Sequence, residues 1–129
     1  MEGGGKTYLV TGKNGCIVIG NQTGMSNCVI FSSERIEIGE EVTIGAGTKI
    51  YDTDFHSTNP DHRIHGNKDV HSAPVEIGDR AFIGGGVTIL KGVHVGKASV
   101  IGAGSVVSHD IPDGEIWAGN PAKFIRKLK

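Results

Sequence analysis

The chain is 129 residues long, the size of one domain. Its formal net charge is −1 and its pI about 6.6, which leaves no electrostatic footprint for nucleic acid or an acidic membrane. Glycine is abundant at 21 residues and aromatic content is only 5%, so a core has to be built from aliphatic side chains.

At the N-terminus no charged segment precedes an apolar run and a small-residue cleavage site, so no leader peptide is expected. No stretch approaches the roughly 20 apolar residues that span a bilayer. Cys16 and Cys28 are too few for a disulfide scaffold and read as reduced thiols, which points to the cytoplasm.

From about Ile17 the chain becomes periodic. Ile19, Met25 and Phe31 are six residues apart, and one extra residue precedes Ile38. Ile38, Ile44 and Ile50 keep the step, and so do Ile77, Ile83, Ile89, Val95, Ile101 and Val107. The residue two places earlier is small or aliphatic in turn, as at Ile36, Val42, Ala81, Val87, Val93 and Ser99. Every second side chain of a strand shares a face, so each unit reads as a short strand followed by a corner. Gly20, Gly39, Gly78 and Gly96 follow the first member of each triplet, and Gly45, Gly84 and Gly102 the second. The third is followed by Ser32, Tyr51, Leu90 or Ser108, so three units make one turn. Glycine suits such corners because it tolerates positive φ and allows backbones to approach closely. Stacked turns align Ile38, Ile77 and Val95 in one column, Ile44, Ile83 and Ile101 in a second, and Ile50, Ile89 and Val107 in a third. The fold expected is therefore all-β: a single domain over 1–129, with a parallel coil over about 17–111 and a tail over 112–129. Spacing does not give the hand of the coil, and parallel crossovers are ordinarily right-handed.

The pattern breaks between Ile50 and Ile77. Residues 52–74 are polar, carry no strand or helix signature, and read as a protruding loop. A loop this long in a compact domain is usually functional or disordered. His56 lies in its stem, where a rigid coil can fix a catalytic side chain.

Three stretches together resemble the hexapeptide-repeat acyltransferases, the group of maltose, galactoside, serine and xenobiotic acetyltransferases. They are Ile50-Tyr-Asp-Thr-Asp-Phe-His56, then Val75-Glu-Ile-Gly-Asp-Arg-Ala-Phe-Ile-Gly84 running on to Ile101-Gly-Ala-Gly-Ser-Val-Val107, and Ala118-Gly-Asn-Pro-Ala-Lys123. The resemblance implies a left-handed β-helix with a short C-terminal helix. It also implies a homotrimer with active sites between subunits and acetyl-CoA lying along the groove between two coils. His56 then acts as general base toward a small acceptor, a sugar or polysaccharide hydroxyl; imidazole suits this because its ordinary pKa lies near working pH. Asp54, with Asp52, is a candidate to orient the ring. The Gly85 N–H of a neighbouring subunit is the candidate oxyanion donor. Cofactor contacts are expected at Phe82 (where the family often has tryptophan), Gly85, Ala103 and Ser108, with Lys123 and Arg126 meeting phosphates. Acceptor contacts are expected at Ser26, Asn27 and Arg63. Met25 stands where maltose and galactoside transferases lead one to expect asparagine, so the chain looks more like the polysaccharide and capsule-sugar O-acetyltransferases.

Other readings remain open: N-acetylation of an amino sugar, a non-catalytic scaffold, or a zinc enzyme like the γ-class carbonic anhydrases. Those carbonic anhydrases hold zinc with three histidines. The spacing of His56, His62, His65 and His71 lacks their pair four residues apart, and no metal is expected.

Overall fold

The computed structural model describes residues 5–129; residues 1–4, on which the leader-peptide expectation partly rests, lie outside the described ones. The chain runs through β1 (Tyr8–Thr11), β2 (Ile17–Ile19), β3 (Gly24–Met25), β4 (Val29–Ser32), β5 (Ile36–Ile38), β6 (Thr43–Ile44) and β7 (Lys49–Tyr51). After the helix α1 (Pro60–Ile64) come β8 (Val75–Ile77), β9 (Phe82–Ile83), β10 (Thr88–Ile89), β11 (His94–Val95), β12 (Val100–Ile101), β13 (Val106–Val107), β14 (Glu115–Gly119) and β15 (Ala122–Lys127).

These strands wind into a three-sided parallel coil. The first face stacks β1-β4-β7-β10-β13, the second β2-β5-β8-β11, and the third β3-β6-β9-β12-β14. Neighbours within each face pair in parallel as far as β14. The columns read from the sequence are those of the core. Ile38 pairs with Ile77 and Ile77 with Val95; Ile44 with Ile83 and Ile83 with Ile101; Ile50 with Ile89 and Ile89 with Val107. Each of these nine is at most 3% exposed. Ile111 bridges to Val95 and Trp117 pairs with Ile101, extending two columns by one level. Burial in these aliphatic stacks contributes about 1.5–3 kcal/mol per side chain.

The sequence reading needs correction in four places. Phe31 is not a core residue: the register pairs Ile30 with Ile50 and Phe31 with Tyr51, so Ile30 is buried and Phe31 faces outward. The corner after Met25 is one residue shorter than the repeat, which shifts the inward position. The coil also begins before Ile17, since β1 pairs along its length with β4. The loop over 52–74 carries a helix, α1, capped by Asn59 and started by Pro60, a combination suited to an N-terminus. Finally, the tail forms no helix. β14 ends at Gly119 (φ 112°), the chain turns through a cis Asn120–Pro121 bond, and β15 returns antiparallel along β14. That pairing satisfies the backbone groups on the open edge of the last turn, which a helix would leave unmet. Lys123 and Arg126 accordingly sit on a strand.

The corners divide the two uses of glycine. A Cβ on Gly39 or Gly78 would lie 2.8 Å from the backbone nitrogen of Asp79 or Lys97 on the next turn, so these glycines are there for close approach. The left-handed position falls at Gln22, Glu41, Arg80 and Ala98, with φ between 57° and 63°. Aspartates complete the turns: Asp79 Oδ1 accepts from Glu40 N–H at 2.9 Å and Asp113 Oδ1 from Lys97 N–H at 2.8 Å.

Candidate active site

The loop bearing His56 leaves the coil at the end of the first face, and its root is tightly fixed. Asp52 is buried, and its carboxylate accepts from the N–H groups of Ser33, Glu34 and Arg35 at 2.7–2.9 Å and from the Ser32 hydroxyl at 2.8 Å. Asp52 thus anchors the loop to the turn before β5 and is committed there rather than to His56. The two limbs of the loop are zipped together: Asp54 N–H donates to His71 O and Ala73 N–H to Asp52 O, with a bridge between Thr53 and Ser72. The Asp54 carboxylate pairs with Lys91 at 2.9 Å, so it ties the loop to the following turn.

Phe55 has a φ of 65°, a left-handed conformation that costs a side-chain-bearing residue about 1–2 kcal/mol. Its ring is held in return, 4.8 Å from Phe31 and 5.0 Å from Tyr51 between centroids. This reversal presents His56 to solvent, its N–H donating to Asp54 O at 2.7 Å. Beyond it the Asn67 carboxamide spans the histidine. Its Oδ1 accepts from Ser57 N–H at 2.9 Å and its Nδ2 donates to Phe55 O at 2.8 Å, 3.5 Å from His56 Nδ1. Arg63 reaches back from α1 to donate to Ser57 O at 2.9 Å.

The other expected residues lie elsewhere on the prism. Gly85 is at the corner between the third face and the first, stacked between Ala46 and Ala103. There Gly84 N–H donates to Ile101 O and Gly86 N–H to Ala46 O, while the Gly85 N–H meets no acceptor among the described residues. Ala46 and Ala103 share this feature, so the corner carries a row of free N–H donors. Phe82 projects outward from the third face, 49% exposed. Ser108 is exposed, its hydroxyl 3.1 Å from His109 Nδ1, and Lys123 and Arg126 are exposed on β15. Ser26 and Asn27 are exposed after β3. His56 and Gly85 therefore stand at opposite edges of the first face of one chain.

Burial pushes the Cys28 thiol above its ordinary value, which makes it a poor nucleophile. Among the described residues no three His, Cys, Asp or Glu side chains gather as a metal-ligand group. Asn67 and Lys91 escaped the sequence reading: both act across the stem on partners distant in the chain, and no periodicity marks them.

Residues 74–109 match the family described as the hexapeptide repeat of succinyl-transferase. A Saccharomyces cerevisiae protein carrying an acetyltransferase name is 46% identical over 102 residues, 79% of this chain and 50% of that protein. The chain thus spans about half the length of that relative. A hexapeptide-repeat containing acetyltransferase of Vibrio cholerae superposes with a TM-score of 0.80 at 33% identity, covering 96% of this chain and 73% of its own. That protein has also been solved in complex with acetyl-CoA. A maltose O-acetyltransferase of Clostridium difficile superposes with a TM-score of 0.81 at 34% identity, covering 95% and 67%. On fold, repeat and relatives alike, the chain belongs to the hexapeptide-repeat acetyltransferases.

Proposed function

We propose that this protein moves an acetyl group from acetyl-CoA to a hydroxyl of a sugar or polysaccharide precursor, with His56 as general base. One observation carries the reading: an exposed imidazole on a loop fixed at its root by Asp52, at its stem by Asp54 and Lys91, and at its tip by Asn67. His56 takes the acceptor proton as the oxygen attacks the thioester carbonyl carbon. The tetrahedral intermediate places its negative charge at an oxyanion, for which the free Gly85 N–H of a neighbouring copy is the donor. Collapse breaks the carbon–sulfur bond, and the CoA sulfur takes the proton back from His56. Acetylated acceptor and CoA leave with atoms balanced.

His56 and Gly85 lie at opposite edges of one face, so a second copy is needed to bring them together; this supports a homotrimer with shared sites. The donor row at Ala46, Gly85 and Ala103 suits the amide groups of pantetheine, Phe82 flanks that edge, and Ser108, which follows β13 at the other edge of the first face, offers its hydroxyl to the cofactor. Lys123 and Arg126 on β15 supply positive charge for the phosphates. Asp54 acts through its carbonyl and its ion pair rather than on the ring. Ser26, Asn27 and the guanidinium nitrogens of Arg63 not bound to Ser57 are the acceptor contacts, and the cytoplasm is the place of action.

The test is CoA release from acetyl-CoA in the presence of a panel of sugars. His56→Ala is expected to lower kcat by about 10²–10⁴-fold with acetyl-CoA binding intact. Turnover within a few-fold of wild type would sink the general-base assignment.

A further inference from the structure

We propose that Asn67 is the positioning residue of His56, an inference that rests on reading His56 as the general base. Its carboxamide grips the backbone on both sides of the histidine, Phe55 O through Nδ2 and Ser57 N–H through Oδ1. These two partners fix its orientation, because turning it round would set donor against donor and acceptor against acceptor. The residue between them is then held by two short hydrogen bonds from one rigid group. Phe55 lies in the left-handed region and Asn67 itself has a φ of 53°, so the local backbone on both sides is bent to make the clasp. The 3.5 Å from Nδ2 to His56 Nδ1 is too long to fix the ring's tautomer but close enough for a charge placed there to act on it. Other charged groups of the loop are occupied or set aside: Asp54 with Lys91, Arg63 with the Ser57 carbonyl, Asp61 in the first turn of α1, His62 paired with Asp69. Asp52 is held by the N–H groups of Ser33, Glu34 and Arg35, His65 Nδ1 lies 3.0 Å from Asp61 O, and Lys68 and His71 complete the set. None is interposed in the hydrogen bonds between Asn67 and the histidine segment.

A misplacement of about 1 Å at a catalytic group costs on the order of 10²-fold in rate. Asn67→Ala is therefore expected to lower kcat at least about tenfold while leaving the KM for acetyl-CoA within about twofold. Asn67→Asp keeps an acceptor for Ser57 N–H and puts a carboxylate beside the imidazole. It should raise the His56 titration midpoint, read by ¹⁵N NMR of the ring, by about one pH unit. The acid limb of kcat/KM should move up with it. The titration is run on the protein alone; the rates use acetyl-CoA with the sugar panel, and His56→Ala is the control. If the midpoint stays put, or if Asn67→Ala keeps wild-type kcat while His56→Ala is dead, the role of Asn67 is overturned alone. If His56→Ala retains turnover, the general-base reading falls and the positioning role falls with it.

Discussion

At the scale of single residues, the loop works because each fixed group has several partners. Asp52 gathers three backbone N–H groups and one hydroxyl in a buried setting. Asp52→Ala is expected to destabilise the fold by about 3 kcal/mol or more, read by chemical unfolding, with Asp52→Asn costing less because its amide oxygen still accepts. Phe55→Ala keeps the left-handed backbone but loses the rings of Phe31 and Tyr51. It should lower kcat more than it raises the KM for acetyl-CoA, as measured by steady-state rates. The loop that carries His56 was legible in the sequence because a strict repeat stops there. The ionic partner of Asp54 was not, since Lys91 lies 37 positions on in the sequence and on the next turn of the coil (91 − 54). Asn67 was hidden for a related reason: its partners are backbone groups, which leave no mark on composition.

At the scale of the element, six-residue spacing revealed the columns because stacking places like above like. It misjudged Phe31, where one corner is shorter by a residue and Ile30 takes the inward place. The tail was misread because Ala122–Lys127 mixes Phe124 and Ile125 with cations and fits strand or helix equally. The open edge of β14 decides in favour of the strand. Two corner substitutions separate crowding from backbone conformation. Gly86 has a φ of 67° and open space around its Cβ position, so Gly86→Ala should cost only about 1 kcal/mol. A Cβ at Gly78 would press on Lys97 backbone, so Gly78→Ala should lower the thermal midpoint further. Equal midpoints would contradict that division. In the core, Ile83→Ala should cost about 2–5 kcal/mol by chemical unfolding.

At the scale of the whole molecule, the parallel coil was legible and its assembly was not, because contacts between copies leave no period in one chain. A narrow prism buries little surface by itself, which favours association. On the roles proposed for His56 and Gly85, their placement on opposite edges makes association a requirement for catalysis, and sedimentation at micromolar concentration is expected to find a trimer. The central claim is that this assembly takes acetyl-CoA, and a thermal-shift titration of the purified protein with acetyl-CoA tests it without any guess about the acceptor. At about a hundred times Kd the ligand should stabilise the fold by about 2.7 kcal/mol and raise the midpoint by several degrees. A folded, trimeric protein whose midpoint does not move at any acetyl-CoA concentration would contradict the account.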